Sequence, residues 1–193
     1  PTKPGWIARP GDLPNSDLTN AFESERTTPS SRGGRYPVEG DKAKFLAAAI
    51  PLAQESQRAY GVPTSLKLAQ TILETGWGTS ELAVRGKNYF GIKAHRGSGT
   101  AGVIWINTSE YVNGQWIKVS AAFRAYNTMA ESFDDSSRFL KDVDRYSRCF
   151  ETRDPKEFAR RLQAAGYATD PAYADKLIRI MDSLDLYAYD LPQ

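Results

Sequence analysis

The sequence predicts a mostly helical α+β domain carrying a single β-hairpin. Three observations predict it. Apolar residues recur at helical spacing between Asp41 and Thr75. An Asn-Gly pair at 113–114 is flanked by runs rich in β-branched and aromatic residues. Helix-capping signals stand at Thr128, Asp154 and Asp170.

In chain order, residues 1–40 come first and differ from the rest. They hold Pro1, Pro4, Pro10, Pro14, Pro29 and Pro37 among Ser, Thr, Asn and Gly, with no sustained period. They predict an extended or partly disordered arm or linker, which Trp6, Ile7, Leu13, Leu18 and Phe22 could pin to a surface. The folded domain is expected over 41–193. Phe45, Leu46, Ala49, Leu52, Ala53 and Tyr60 predict a first helix, which Pro51 should kink and Gly61 with Pro63 should end. Leu66, Ala69, Ile72 and Leu73 give a second helix its apolar stripe over Thr64–Thr75, stopped by Gly76. Val103–Val112 and Gln115–Val119 then read as two strands about the Asn-Gly turn, whose positions need positive φ. Thr128-Met-Ala-Glu131 is a capping box opening a helix through Phe139 and Leu140. Asp154-Pro155 and Asp170-Pro171 each place an N-cap before Pro at the first helical position. The first of these helices should end at Gly166, and the second carries Leu177, Ile178, Met181 and Leu184.

Composition narrows the function. The chain has 193 residues, with 25 Lys and Arg against 23 acidic residues and a net charge of +2. That balance does not fit a nucleic-acid binder. No apolar run reaches the ~18–20 residues of a membrane span, and no secretory signal is read at the polar, Pro-rich start. The single cysteine, Cys149, allows no intramolecular disulfide. With no His–Asn constellation around it, Cys149 reads as a small buried residue and not as a papain-like nucleophile. His95 is the only histidine and has no cysteine nearby, so no metal is expected and a zinc amidase or peptidase is disfavoured. No cofactor is expected, and the protein is expected to be a monomer.

The chemistry concentrates at Glu74. It stands near the end of the second helix, about 100° around from Leu73, at the edge of the apolar stripe. A carboxyl withdrawn from water there is harder to ionise, which raises its pKa toward what a general acid needs. Trp77 follows within a turn and would wall the site. The ordinary alternative is a solvated glutamate at a helix end.

The segment Ser65-Leu-Lys-Leu-Ala-Gln-Thr-Ile-Leu-Glu-Thr-Gly-Trp-Gly78 resembles the signature of glycoside hydrolase family 73. These are endo-β-N-acetylglucosaminidases of bacterial autolysins and flagellar peptidoglycan hydrolases. Further segments match in order: Lys87-Asn-Tyr-Phe-Gly-Ile-Lys93 (with Tyr89 replacing the usual Leu), Thr108-Ser-Glu-Tyr111, Phe123-Arg-Ala-Tyr126 with Glu131-Ser132, and Gly166-Tyr-Ala-Thr-Asp-Pro-Ala-Tyr-Ala174. The likeness covers about residues 41–190.

The resemblance implies a lysozyme-like fold: a helical bundle with a small β-hairpin lobe over a substrate groove. It implies that Glu74 protonates the glycosidic oxygen and that Glu110 activates water or stabilises developing charge. It also places Tyr167 near the catalytic centre. Glycoside hydrolysis normally needs such a second group beside the acid. Tyr111, Tyr126 and Tyr173 are expected to bind substrate through their ring faces. Trp77 could line the groove or the core, and Asn88 could bind substrate or fix a loop. Phe90 and Trp105 are expected in the core. The implied partner is the peptidoglycan glycan strand, and the implied location is the periplasm, cell wall or extracellular space. The alternatives are a muramidase or lytic transglycosylase of the same fold, or a non-catalytic cell-wall binding domain.

Overall fold

A computed structural model describes residues 38–95, 97–112 and 115–192, and the side chains of 108–112 and 115–117 are not described. The predicted arm (save residues 38–40) and the Asn-Gly turn lie outside the described residues. Helix α1 (Gly40–Tyr60) buries Leu46, Ala49, Ala53 and Ser56 and ends at Gly61, whose φ of 79° is left-handed. The interruption expected at Pro51 is confined to its missing N–H: the helix runs through, with the ring on the exposed side.

Helix α2 (Thr64–Thr75) is the centre of the molecule. The sequence predicts an amphipathic stripe, yet every residue of α2 except Leu73 is buried. It packs against α1, against α5 (Pro155–Ala164) and α6 (Tyr173–Ser183), and against the 3-10 turn Leu186–Tyr189. Leu66, Leu68 and Ile72 join Phe90, Phe133, Leu140, Phe158 and Leu177 in one core. Each such side chain contributes ~1.5–3 kcal/mol of apolar burial.

A helix starting after Pro63 has no side-chain cap of its own. Distant groups replace it. The Gln57 Oε1 accepts from the Thr64 N–H at 3.3 Å and from its Oγ1 at 2.7 Å. Asp190 accepts from the Ser65 N–H at 2.7 Å and from its hydroxyl at 2.8 Å. Two of the first-turn N–H groups that any helix leaves unpaired are thereby satisfied inside the protein.

Helix α3 (Glu81–Gly86) is capped by Ser80, which accepts from the Ala83 N–H at 3.2 Å. Strands β1 (Val103–Val112) and β2 (Gln115–Arg124) then form an antiparallel pair, with Val103 opposite Arg124 and Val112 opposite Gln115. Ile106 and Phe123 bury one face against Leu82. Trp105, expected in the core, is instead 64 % exposed. It lies between Ile104 and Ile106 on a strand, so alternation sends it to the opposite face.

Helix α4 (Met129–Asp142) opens on the complete Thr128/Glu131 capping box. The 3-10 segment Asp144–Glu151 leads to α5, capped by Asp154 with Pro155 in its first turn. Helix α6 begins at Tyr173, not at Pro171 as the sequence predicts. Asp170 accepts from the Ala172 N–H at 2.8 Å and pairs with Lys176 at 2.7 Å, which holds Pro171 in a turn before the helix. Cys149 is buried, and burial pushes its thiol up to about 11. Among the described residues, no helix is long and apolar enough to cross a membrane.

Candidate active site

The end of α2 is built by an unusual run of backbone. Gly76, Trp77 and Gly78 all have positive φ, at 56°, 64° and 80°. This conformation costs a bulky L-residue such as Trp77 roughly 1–2 kcal/mol. Several contacts hold it. The Thr75 hydroxyl donates to the Thr71 carbonyl at 2.5 Å and accepts from the Gly78 N–H at 2.7 Å. Only glycine fits at 78, because a Cβ there would meet the Phe45 ring at 2.8 Å. The Trp77 ring is half-buried, edge-on to Phe45 at 6.2 Å, with the Lys42 ammonium 5.4 Å from its centroid.

This turn closes behind Glu74, which is 3 % exposed. The sequence reading expects a half-withdrawn carboxyl; the all-round burial of α2 takes it further. Burial pushes the Glu74 carboxyl up to about 8, against a smaller lowering by its hydrogen bond from Tyr173. The Tyr173 hydroxyl donates to Oε1 at 3.3 Å, while Oε2 has no hydrogen-bond partner. A carboxyl in this state is protonated at neutral pH, with one oxygen engaged and the other uncommitted.

Tyr173 is thus a neighbour of the acid. It is fully buried at the start of α6, so its ring does not face an open groove as expected. Tyr167 lies beside it, 5.6 Å between ring centroids, and stacks edge-on to Tyr146 at 5.9 Å. Burial and the nearby Glu74 hold both Tyr167 and Tyr173 well above the usual phenol range, so both are neutral. Gln70, one turn before Glu74 on α2, donates from Nε2 to the Tyr173 oxygen at 3.2 Å. Sequence reasoning passed over Gln70, although its i, i+4 spacing to Glu74 puts both on one helix face.

The remaining predicted residues separate. Asn88 is buried and fixes a loop: its amide donates to the Ile92 carbonyl at 3.0 Å and the Arg124 carbonyl at 2.8 Å. Its carbonyl accepts from the Phe90 and Ile92 N–H groups, so Asn88 ties this loop to the base of β2. Tyr126, expected to bind substrate, is buried, with its hydroxyl donated to Asp135 at 2.6 Å, because Asp135 also draws Arg124 at 2.7 Å. Phe90 is in the core as expected. Glu110 pairs with Ile117 and Tyr111 with Trp116 near the tip of the hairpin. The side chains of Glu110 and Tyr111 lie outside the described residues.

The sequence matches the family described as mannosyl-glycoprotein endo-beta-N-acetylglucosaminidase over residues 50–186. It is 39 % identical over 160 residues to the peptidoglycan hydrolase FlgJ of Vibrio parahaemolyticus, covering 80 % of this chain and 52 % of that protein. It is 39 % identical over 151 residues to the exo-glucosaminidase LytG of Bacillus subtilis, covering 76 % and 52 %. The chain thus spans about half the length of these relatives. Among solved structures, the catalytic domain of the autolysin Auto from Listeria monocytogenes superposes with a TM-score of 0.69 at 27 % identity, over 92 % of this chain and 97 % of that one. The mostly helical fold with its two-stranded sheet is that of the lysozyme-like glycoside hydrolase domains.

Proposed function

Because this chain belongs to the glucosaminidase family, glycoside hydrolase family 73, we propose that it cleaves the β-1,4 bond on the reducing side of N-acetylglucosamine in peptidoglycan. The observation that carries this reading is the burial of Glu74, which keeps its carboxyl protonated at neutral pH. Glu74 Oε2 delivers its proton to the glycosidic oxygen as the C1–O bond breaks. The sugar passes through an oxocarbenium-like state, and water adds to C1 and loses a proton to Glu110. Proton exchange with solvent then reprotonates Glu74 and deprotonates Glu110. Neutral Tyr167 and Tyr173 line the buried side of the acid and keep water from it, while the hairpin brings Glu110 over the sugar. Trp77, held half-buried beside the acid, offers a ring face to the glycan. The domain, expected over 41–193, takes in helix α1 from Gly40, and acts as a monomer where peptidoglycan is found, in the periplasm, the cell wall or outside the cell.

Digestion of purified sacculi, borohydride reduction and mass spectrometry of the products test this. Reduced N-acetylglucosamine ends are expected. Reduced muramic ends would make it a muramidase, and anhydro-muramic ends alone a transglycosylase. The Glu74→Gln variant should release no products, and undiminished release would overturn the assignment of the acid.

A further inference from the structure

The acid's proton can sit on either carboxyl oxygen. Oε1 faces the Tyr173 hydroxyl at 3.3 Å, and Oε2 has no partner. A hydroxyl has one proton to donate. Were Tyr173 to donate toward Gln70, its oxygen would accept from Glu74, and the acid's proton would sit on Oε1. Gln70 prevents this. Its Nε2 donates to the Tyr173 oxygen at 3.2 Å, so Gln70 offers the Tyr173 proton no acceptor and that proton goes to Glu74. Gln70 is itself fully buried, and its Oε1 takes no hydrogen bond. The same amide acts on the Tyr167 hydroxyl.

We propose that Gln70 is a positioning residue for the general acid: it orders the chain Gln70 N–H to Tyr173 O–H to Glu74 Oε1, so that the acid carries its proton on Oε2. This rests on Glu74 being the acid. No proton leaves this chain in the reaction; it fixes direction only. Among the described residues, the titratable groups acting on Glu74 are Tyr173 on α6 and Tyr167 in the segment before it.

The test is a cycle of Gln70→Leu, Tyr173→Phe and the double variant, with Gln70→Met beside Gln70→Leu in case either folds poorly. Two readouts are needed. One is the pH profile of kcat and KM on sacculi. The other is the carboxyl titration of Glu74 by NMR in protein labelled at glutamate, its resonance identified by its loss in Glu74→Gln. The Tyr173 bond holds Glu74 down, so losing its direction should move the Glu74 midpoint and the alkaline limb of kcat upward. Gln70→Leu should lower kcat about tenfold or more with KM unchanged. In the Tyr173→Phe background, Gln70→Leu should add nothing further. A Gln70→Leu protein that folds with an unmoved midpoint, or effects that multiply in the double variant, would overturn the inference. If Glu74→Gln is inactive under either result, the acid assignment stands and only the role of Gln70 falls; if Glu74→Gln is active, the acid assignment falls.

Discussion

Replacing Glu74 by Gln should stabilise the protein in a way that depends on pH. The carboxyl titrates at about 8 in the folded protein against 4.5 ordinarily, because burial penalises its charge. An acid raised in this way favours the folded state while it is protonated. That advantage is complete below pH 4.5 and is lost as pH climbs through about 8. At ~1.4 kcal/mol per unit, the gap corresponds to about 5 kcal/mol once the wild type must bury a carboxylate. The group is almost wholly out of water, so little solvent screening reduces this figure. Glutamine has the same shape as the neutral acid and does not ionise. Thermal melts of both proteins at pH 4.5 and pH 9 measure the effect. Their Tm values should nearly coincide at pH 4.5 and separate by on the order of 10 °C in favour of Glu74→Gln at pH 9. Other titrating groups are common to both proteins and cancel in the difference. A Tm difference independent of pH would refute the claim that burial holds Glu74 protonated, and with it the reason to regard this residue as an acid at neutral pH.

Other perturbations follow from the same geometry. Asp190→Ala should destabilise by about 1–2 kcal/mol in urea unfolding, since it leaves the Ser65 N–H and hydroxyl of α2 without their acceptor. Gly78→Ala should destabilise by about 1–3 kcal/mol and lower activity, because the new methyl meets Phe45 at a left-handed position; stability equal to wild type would show that the turn relaxes freely. Lys67, fully buried over Phe90 and bonded to Ser136, is held well below the usual ammonium range by burial, against the pull of Asp135. Lys67→Met should therefore be most favourable at low pH, where the wild type is driven to bury a charge. Its advantage in chemical denaturation should shrink as pH rises toward 10.5.

The hairpin, the Thr128 capping box and Glu74 were legible because each is a local signal: a turn needing positive φ, a reciprocal pair three residues apart, a carboxyl beside apolar neighbours. The character of α2 was not. Thr64, Ser65, Lys67, Gln70 and Thr71 read as a wet face, and four of them are dry because distant groups meet them. Gln57 and Asp190 take Thr64 and Ser65, Ser136 takes Lys67, and Tyr173 takes Gln70. None of those partners lies within α2, so no window along it reveals them. The burial of the tyrosines was illegible for a related reason. Aromatic residues in a glycan-cleaving family suggest sugar stacking, yet Tyr126 and Tyr173 are buried and spend their hydroxyls on Asp135 and Glu74. Trp105 erred the other way, since its bulk suggested the core while strand alternation decided its face.

The bond from Ser65 to Asp190 spans 125 positions of chain and fastens the first turn of the helix whose last turn carries Glu74. Contacts so far apart in sequence form late, because the loop between them must be closed before they repay its lost entropy. A ribosome therefore makes Glu74 long before it makes the residue that secures Glu74's helix. The order of assembly delays the completed site until nearly the whole domain has emerged and docked.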